Sequence, residues 1–247
     1  MVETVAMGIP PLLDELGASV PVALFLDFDG TLVDIAPSPD AIRVPPDLPA
    51  RLEALARRME GRLALVSGRS VADIERHLGP VRIALAGSHG LDRIGADGAR
   101  IGPAPAPIPR AAMQAFEDFA ARSGLEYEAK SHGAALHYRT APALADAALA
   151  FAREIADENA LQLKRGKCVV ELAPQGADKA GAVHAFMGEG AFAGAMPVFV
   201  GDDITDEDGF LAARDLGGFG IIVGDRAGTL ARYRLPSPTE VSQWLEL

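Results

Sequence analysis

Val22-Ala-Leu-Phe-Leu-Asp-Phe-Asp-Gly-Thr31 begins as five apolar residues in a row and runs straight into two aspartates spaced two apart. A continuous apolar run of this length reads as a strand covered on both faces, the habit of parallel sheets. The pattern recurs downstream. Leu48, Leu52, Leu55 and Met59 fall at helix spacing within 47–60, and Leu63-Ala-Leu-Val66 is a second buried strand that ends in Ser67-Gly-Arg69. Ser70-Val-Ala-Asp73 has the Ser-x-x-acid form of a helix start, with Gly79-Pro80 as its stop. Ile83-Ala-Leu-Ala86 is a third strand, ending in Gly87-Ser-His-Gly90. Strand and helix in alternation imply right-handed crossovers and a parallel sheet with helices on both faces, an α/β fold.

The alternation breaks at Gly102-Pro-Ala-Pro-Ala-Pro-Ile-Pro109, a stiff extended linker that no helix or central strand could contain. Beyond it the order changes. A helix over 110–123 is followed by strands at 125–130 and 134–139. A second helix over 142–159 is followed by strands at 161–164 and 168–172. Helix-strand-strand, twice over, predicts a small antiparallel sheet backed by two helices. Near Pro174 the first pattern resumes: a helix over 178–187, then Val198-Phe-Val200 leading into Gly201-Asp-Asp-Ile-Thr-Asp-Glu-Asp208. A helix reaching about Leu216 and a last strand at 220–223 complete it. The expected organisation is a discontinuous core, 1–103 plus 175–247, with 104–174 inserted as a second unit.

The 247 residues suit one large domain or two modest ones. A formal charge of −11, from 34 Asp plus Glu against 23 Lys plus Arg, argues against nucleic acid and anionic membrane as partners. One cysteine, Cys168, excludes an intramolecular disulfide and a Cys-cluster zinc site; its alternation with strand residues reads as a core thiol. Residues 1–20 carry no Lys or Arg, so no basic-start secretory signal is expected, and no apolar run approaches the roughly 18 residues of a membrane span. The expectation is a cytoplasmic protein, monomeric because no large apolar helix face is left over.

Three of the proposed parallel strands end in polar clusters: Asp27 and Asp29, Ser67, and Asp202, Asp203 and Asp206. Ligands bind at this edge of open parallel sheets. One acid after a strand is usually a helix cap, but carboxylates gathered from several strand ends repel one another unless a cation sits among them. An all-oxygen donor set favours Mg²⁺. The inserted strands add a one-faced polar set. Glu128 and Lys130 share a face, Lys167 and Glu171 share another, and Arg139 lies on the neighbouring strand. Such a face is either the solvent side of a sandwich or a surface for a polyhydroxylated ligand, with carboxylates accepting from hydroxyls and Lys or Arg donating. Lys179 stands out because only 4 of the 23 basic residues are Lys. His89 reads as a turn residue or supporting donor, Trp244 as a packing anchor, and Phe116 with Phe119 as core of the insertion.

Asp27-Phe-Asp-Gly-Thr31, Ser67, Lys179 and Gly201-Asp-Asp203-x-x-Asp206, in this order, resemble the signature of the haloacid dehalogenase (HAD) superfamily. That resemblance implies a HAD-like Rossmannoid parallel-sheet core and, from the position of the insertion, an α+β cap of the C2 type. It implies Asp27 as the nucleophile that forms an aspartyl-phosphate and Asp29 as the general acid and base. Thr31, Ser67 and Lys179 would hold the phosphoryl oxygens. Mg²⁺ would sit on Asp27, Asp29 and Asp202, with Asp203 or Asp206 around it. Over nearly its whole length the chain is further similar to the trehalose-6-phosphate phosphatase family. The match runs through Asp27–Ile35, Val66-Ser-Gly-Arg69, Gly87-Ser-His-Gly90, Glu128-x-Lys130, Leu136-His-Tyr-Arg139, Gly166-Lys167, Glu171-Leu-x-Pro174, Lys179 and Gly201–Asp208. By that likeness the partner is a small sugar phosphate. Glu128, Lys130 and Glu171 would grip its distal glucose, while Arg139 and Lys167 orient its phosphorylated sugar. Phe28 stands where the family often has Tyr, and Ala180 where Gly is usual. A phosphatase for sucrose phosphate or a glycosyl-phosphoglycerate, a phosphomutase, or a non-catalytic sugar-phosphate-binding subunit are the alternatives. Intact Asp27, Asp29, Lys179 and Asp202 speak against the last.

Overall fold

A computed structural model describes residues 7–247 apart from Lys167, so that one expected sugar contact lies outside the described residues. Val22–Leu26 is strand β1, buried at every position, and follows a short helix, α1 (Leu13–Gly17). The alternation continues through α2 (Leu48–Arg58), β2 (Leu63–Val66), α3 (Val71–Leu78) and β3 (Ala84–Gly87). The Ser70 hydroxyl accepts the Asp73 N–H at 3.1 Å and so caps α3. A short β4 (Asp92–Ile94) then pairs antiparallel with β3. The insertion follows as α4 (Arg110–Ser123), β5 (Glu126–Lys130), β6 (Gly133–His137), α5 (Ala145–Glu158), β7 (Gln162–Gly166) and β8 (Val169–Ala173). The chain returns through α6 (Lys179–Met187), β9 (Met196–Gly201), α7 (Glu207–Asp215), β10 (Phe219–Val223), β11 (Tyr233–Leu235) and α8 (Pro238–Leu245).

The first sheet has the order β11-β10-β9-β1-β2-β3-β4, parallel except for the β3–β4 pair. Leu24 of β1 lies between Leu63 of β2 and Val198 of β9. Alternate side chains divide between two cores. Leu24, Leu26, Leu65, Val200 and Ile221 pack with residues of α2, α3 and α8, while Phe25, Ala64, Phe199 and Ile222 pack with α6 and α7. Helices on both faces explain why the strands read as unbroken apolar runs. The chain lays β2 and β3 on one side of β1 and β9 and β10 on the other. The strand order therefore reverses beside β1, which opens a crevice at the carboxyl ends of β1 and β9.

The second sheet, β5-β6-β8-β7, is antiparallel throughout. Its apolar face supplies Leu136, Val170 and Leu172 to a core with Phe116, Ala148 and Ala152, and Phe119 stacks on Phe151 at 4.2 Å between ring centroids. Two expectations change here. Cys168 is not a core thiol: it sits half-buried in the β7–β8 turn with φ 65°, and the strand begins one residue later, at Val169. Arg139 is not on a strand. Pairing of β6 ends at His137, after which Tyr138 N–H donates to the Cys168 carbonyl and Ala141 N–H to Tyr138, leaving Arg139 exposed in a turn. At the other end of the chain the Trp244 indole N–H donates to the Pro11 carbonyl at 2.8 Å, so it does anchor the C-terminal helix. No helix among the described residues is long and apolar enough to cross a membrane.

Phe186 of α6 is fully buried and clusters with Phe25 and Phe192 beneath the sheet. Phe186→Ala is expected to lower the unfolding free energy by about 3–5 kcal/mol, measured by urea denaturation.

Candidate active site

The carboxyl ends of β1, β2 and β9 converge on the crevice. Asp27 directly follows β1, and its N–H donates to the Val200 carbonyl at 2.9 Å, which pins it against β9. The chain then turns at Gly30 with φ +80°, and a Cβ there would overlap the Asp202 carboxylate. Only glycine lets the two aspartate loops approach this closely. Thr31 is completely buried, and its hydroxyl has no partner among the described residues. Ser67, at the end of β2, is buried and its hydroxyl accepts the Arg69 N–H at 3.2 Å.

Lys179 is the first residue of α6, whose start is capped by the Asp178 carboxylate accepting the Gly181 N–H at 2.6 Å. Its ammonium donates to Asp27 Oδ1 at 2.7 Å and to Asp206 Oδ1 at 2.5 Å, and all three groups are buried. The second oxygen of Asp206 accepts the N–H groups of Asp202 and Asp203 at 3.0 and 2.9 Å. Asp206 thus shapes the loop that presents Asp202. Ala180, the second residue of α6, is half-buried against the core.

Carboxylate oxygens of Asp27, Asp202 and Asp206 lie within 4.8 Å of one another, with the single Lys179 ammonium among them. Burial pushes the Asp27 carboxyl well above the usual range; Lys179 opposes this, while Asp206 and Asp202 add to it. Burial and the neighbouring Asp206 push Asp202 up to about 7. Lys179 moves the other way. Burial disfavours its charge, but Asp206 and Asp27 outweigh that and raise it. Carboxylates crowded to this degree around one ammonium suit a hard divalent cation. Asp27 and Asp202 are the side chains that could hold it, because Asp206 is committed to Lys179 and two backbone donors.

Asp29 is paired with Arg69 rather than grouped with the other carboxylates. Both of its carboxylate oxygens are taken by Arg69, Nε to Oδ2 at 2.6 Å and Nη2 to Oδ1 at 2.8 Å. Arg69 is itself fixed by Asp73 at 2.6 Å and by the Pro39 carbonyl at 2.8 Å. A bidentate pair orients a carboxylate firmly, and it keeps the Asp29 side chain out of the Asp27–Asp202–Asp206 cluster. Arg69 was visible in Ser67-Gly-Arg69, but its partner is 40 positions away and no local pattern reveals it.

The polar face of the second sheet turns toward the core, so it is not the solvent side of a sandwich. Register places Glu128, Ala135, Glu171 and Lys164 in one row across that face. Lys164 reaches Asp208 at 3.4 Å, Gly166 lies over Asp203, and Glu171 Oε2 is 3.3 Å from His89 Nε2. Lys130 sits 3.2 Å from Glu171 and 3.6 Å from Glu128, which His137 contacts at 2.8 Å. Burial would raise the Glu171 carboxyl, but Lys130 and His89 overcome it and hold it down at about 2. For Lys130, Glu171 and Glu128 likewise outweigh burial and raise it. The face is a matched set of carboxylates and cations, with Gly133 of the central strand packed so closely on the Leu172 carbonyl that no Cβ fits. His89 stands both as a turn residue and as a supporting partner of Glu171, whereas His137 carried no reading of its own.

Lys179→Met should leave the Asp27 carboxyl buried without its cation. Its pKa, already raised, then rises further above the unfolded value, so the cost is small near pH 4 and grows as pH increases. The metal-free variant is expected to lose about 3–5 kcal/mol at pH 8, read from urea unfolding at the two pH values.

The sequence profile described as trehalose-phosphatase matches residues 25–238. A trehalose-6-phosphate phosphatase of Escherichia coli (strain K12) is 41% identical over 240 residues, covering 96% of this chain and 90% of that protein. The C-terminal domain of trehalose-6-phosphate phosphatase from C. albicans superposes with a TM-score of 0.82 at 22% identity, over 97% of this chain and 96% of that one. A HAD-superfamily phosphatase from Bacteroides thetaiotaomicron shares the fold at a TM-score of 0.61 and 14% identity, over 97% of each chain. The motifs converge at one sheet edge as the fold requires, and by the extent of these matches the chain belongs to the trehalose-phosphatase family.

Proposed function

We propose that this chain hydrolyses trehalose 6-phosphate to trehalose and inorganic phosphate. The observation that carries the reading is Asp27: a carboxylate at the head of the central strand, 2.7 Å from a buried ammonium and beneath a face of paired acids and bases. The unit 104–174 acts as a cap over a core formed by 1–103 and 175–247.

In the first half-reaction an Asp27 carboxylate oxygen attacks phosphorus, the bond from phosphorus to the sugar oxygen breaks, and an aspartyl-phosphate forms. Asp29, protonated once its carboxyl swings from the Arg69 clamp toward the substrate, gives its proton to the departing sugar oxygen. In the second, Asp29 takes a proton from water as the water oxygen attacks phosphorus, and the Asp27–phosphate bond breaks to release phosphate. Lys179, Ser67 and Thr31 hold the phosphoryl oxygens; the orphaned Thr31 hydroxyl is a buried donor with no other duty. Mg²⁺ held by Asp27 and Asp202 would supply positive charge that lets an anionic nucleophile approach an anionic phosphate. Asp203 and Asp206 keep the Asp202 loop in shape. Glu128, Lys130 and Glu171 exchange their mutual ion pairs for the hydroxyls of the sugar.

Phosphate release with Mg²⁺ present tests the substrate. Trehalose 6-phosphate should exceed sucrose phosphate and glucose 6-phosphate in kcat/KM, and a preference for either of the others overturns the reading. Asp27→Asn should abolish turnover while sugar-phosphate binding persists in calorimetry. Metal uptake should depend on pH in a defined direction. Asp202 sits near 7 in the metal-free protein, so below that pH a proton competes with the cation. Mg²⁺ affinity is expected to rise as pH passes upward through about 7, with protons released on binding, both read by calorimetry in buffers of different ionisation heat.

A further inference from the structure

Ser88, His89 and Gly90 adopt φ values of 51°, 56° and 94°, three left-handed residues in succession, two of them not glycine. L-residues hold such a conformation only where the surroundings enforce it. Here two catalytic loops do so. His89 N–H donates to the Ser67 carbonyl at 2.9 Å, and Ser88 N–H to the Arg69 carbonyl at 2.7 Å. Gly90 is pressed so closely on the Asp178 carbonyl, immediately before Lys179, that no Cβ fits. Gly68 leaves space for the imidazole: a Cβ there would come within 2.8 Å of His89 Cε1. The turn is thus wedged between the loop that presents Ser67 and the start of the helix that presents Lys179.

From this turn two side chains reach the second sheet. Ser88 Oγ is 3.1 Å from His132 Nδ1, and His89 Nε2 is 3.3 Å from Glu171 Oε2. A histidine that merely closed its own turn would use Nδ1 locally. In His89 Nδ1 is buried and bonds to nothing among the described residues, while Nε2 faces the cap carboxylate.

We propose that His89 is a positioning residue for substrate selection, through which the phosphate-holding loops fix the Glu171 carboxylate for a sugar hydroxyl when the cap is docked. The inference rests on the reading of the second sheet as a sugar-binding cap. His89 acts through Glu171, so its loss weakens only substrates long enough to touch the cap. A small aryl phosphate, which offers the cap no hydroxyls, is much less affected.

The test compares a sugar phosphate with 4-nitrophenyl phosphate in the Mg²⁺-loaded enzyme, using His89→Ala, His89→Asn, Glu171→Gln and the double variants. Asn tolerates a left-handed backbone and keeps the turn if Ala does not. The ratio of kcat/KM for trehalose 6-phosphate to that for 4-nitrophenyl phosphate should fall about tenfold in the His89 variants, mainly through KM. It should fall little further when Glu171→Gln is already present. Equal losses on both substrates, additive effects of the two substitutions, or a fall in kcat at constant KM would each overturn the proposal. The sugar phosphate used is the one the wild type turns over best. A wrong substrate assignment therefore shows as a different preferred sugar in the wild type, whereas failure of the His89 proposal shows as additivity whatever the sugar.

Discussion

The buried ammonium of Lys179, shared between Asp27 and Asp206, is the contact on which the rest of the site depends. It joins three chain segments that are far apart in sequence: the end of β1, the start of α6 and the loop after β9. Removing a charge from water is costly unless it is paired and hydrogen-bonded, and here one cation serves two carboxylates that would otherwise repel. Asp206 carries the effect onward by accepting the Asp202 and Asp203 N–H groups, so the position of Asp202 is tied to that of Lys179. Gly30 completes the arrangement by letting the Asp27 loop close against Asp202.

This local balance puts the acidity of the chain in a different light. A net charge of −11 is a poor background for an anionic ligand. Yet five of the acids lie within residues 202–208, and two more at 27 and 29. Lys179 neutralises Asp27 and Asp206, Arg69 pairs with Asp29, Lys164 with Asp208 and Arg226 with Glu207. The charge that a phosphate would meet is set by these few groups rather than by the sum over the surface.

Most of the core was legible because it is buried on both faces: β1, β2, β9 and β10 read as apolar runs and proved to be neighbours in one sheet. β4 and β11 were not, since three residues carry neither a run nor an alternation. Turns misled in the insertion, where Cys168 in the β7–β8 hairpin and Arg139 in the β6–α5 connection lie just outside the strands that pattern alone would extend. Ion pairs between distant segments stayed invisible. The Arg69–Asp29 clamp joins residues 40 positions apart, and the His89 turn owes its shape to loops around it. Which way the polar face of the second sheet points is likewise a tertiary fact; nothing in Glu128, Lys130 or Glu171 by itself distinguishes solvent from core.

In the proposed reaction Asp27, held by Lys179, carries the phosphoryl between sugar and water. Rapid-quench mass spectrometry during turnover of trehalose 6-phosphate with Mg²⁺ tests this directly. It should find one phosphoryl group per chain, on the peptide containing Asp27, forming as trehalose is released and decaying as phosphate appears. Phosphate release at full rate with no phosphorylated enzyme, or with the label on another residue, would contradict it.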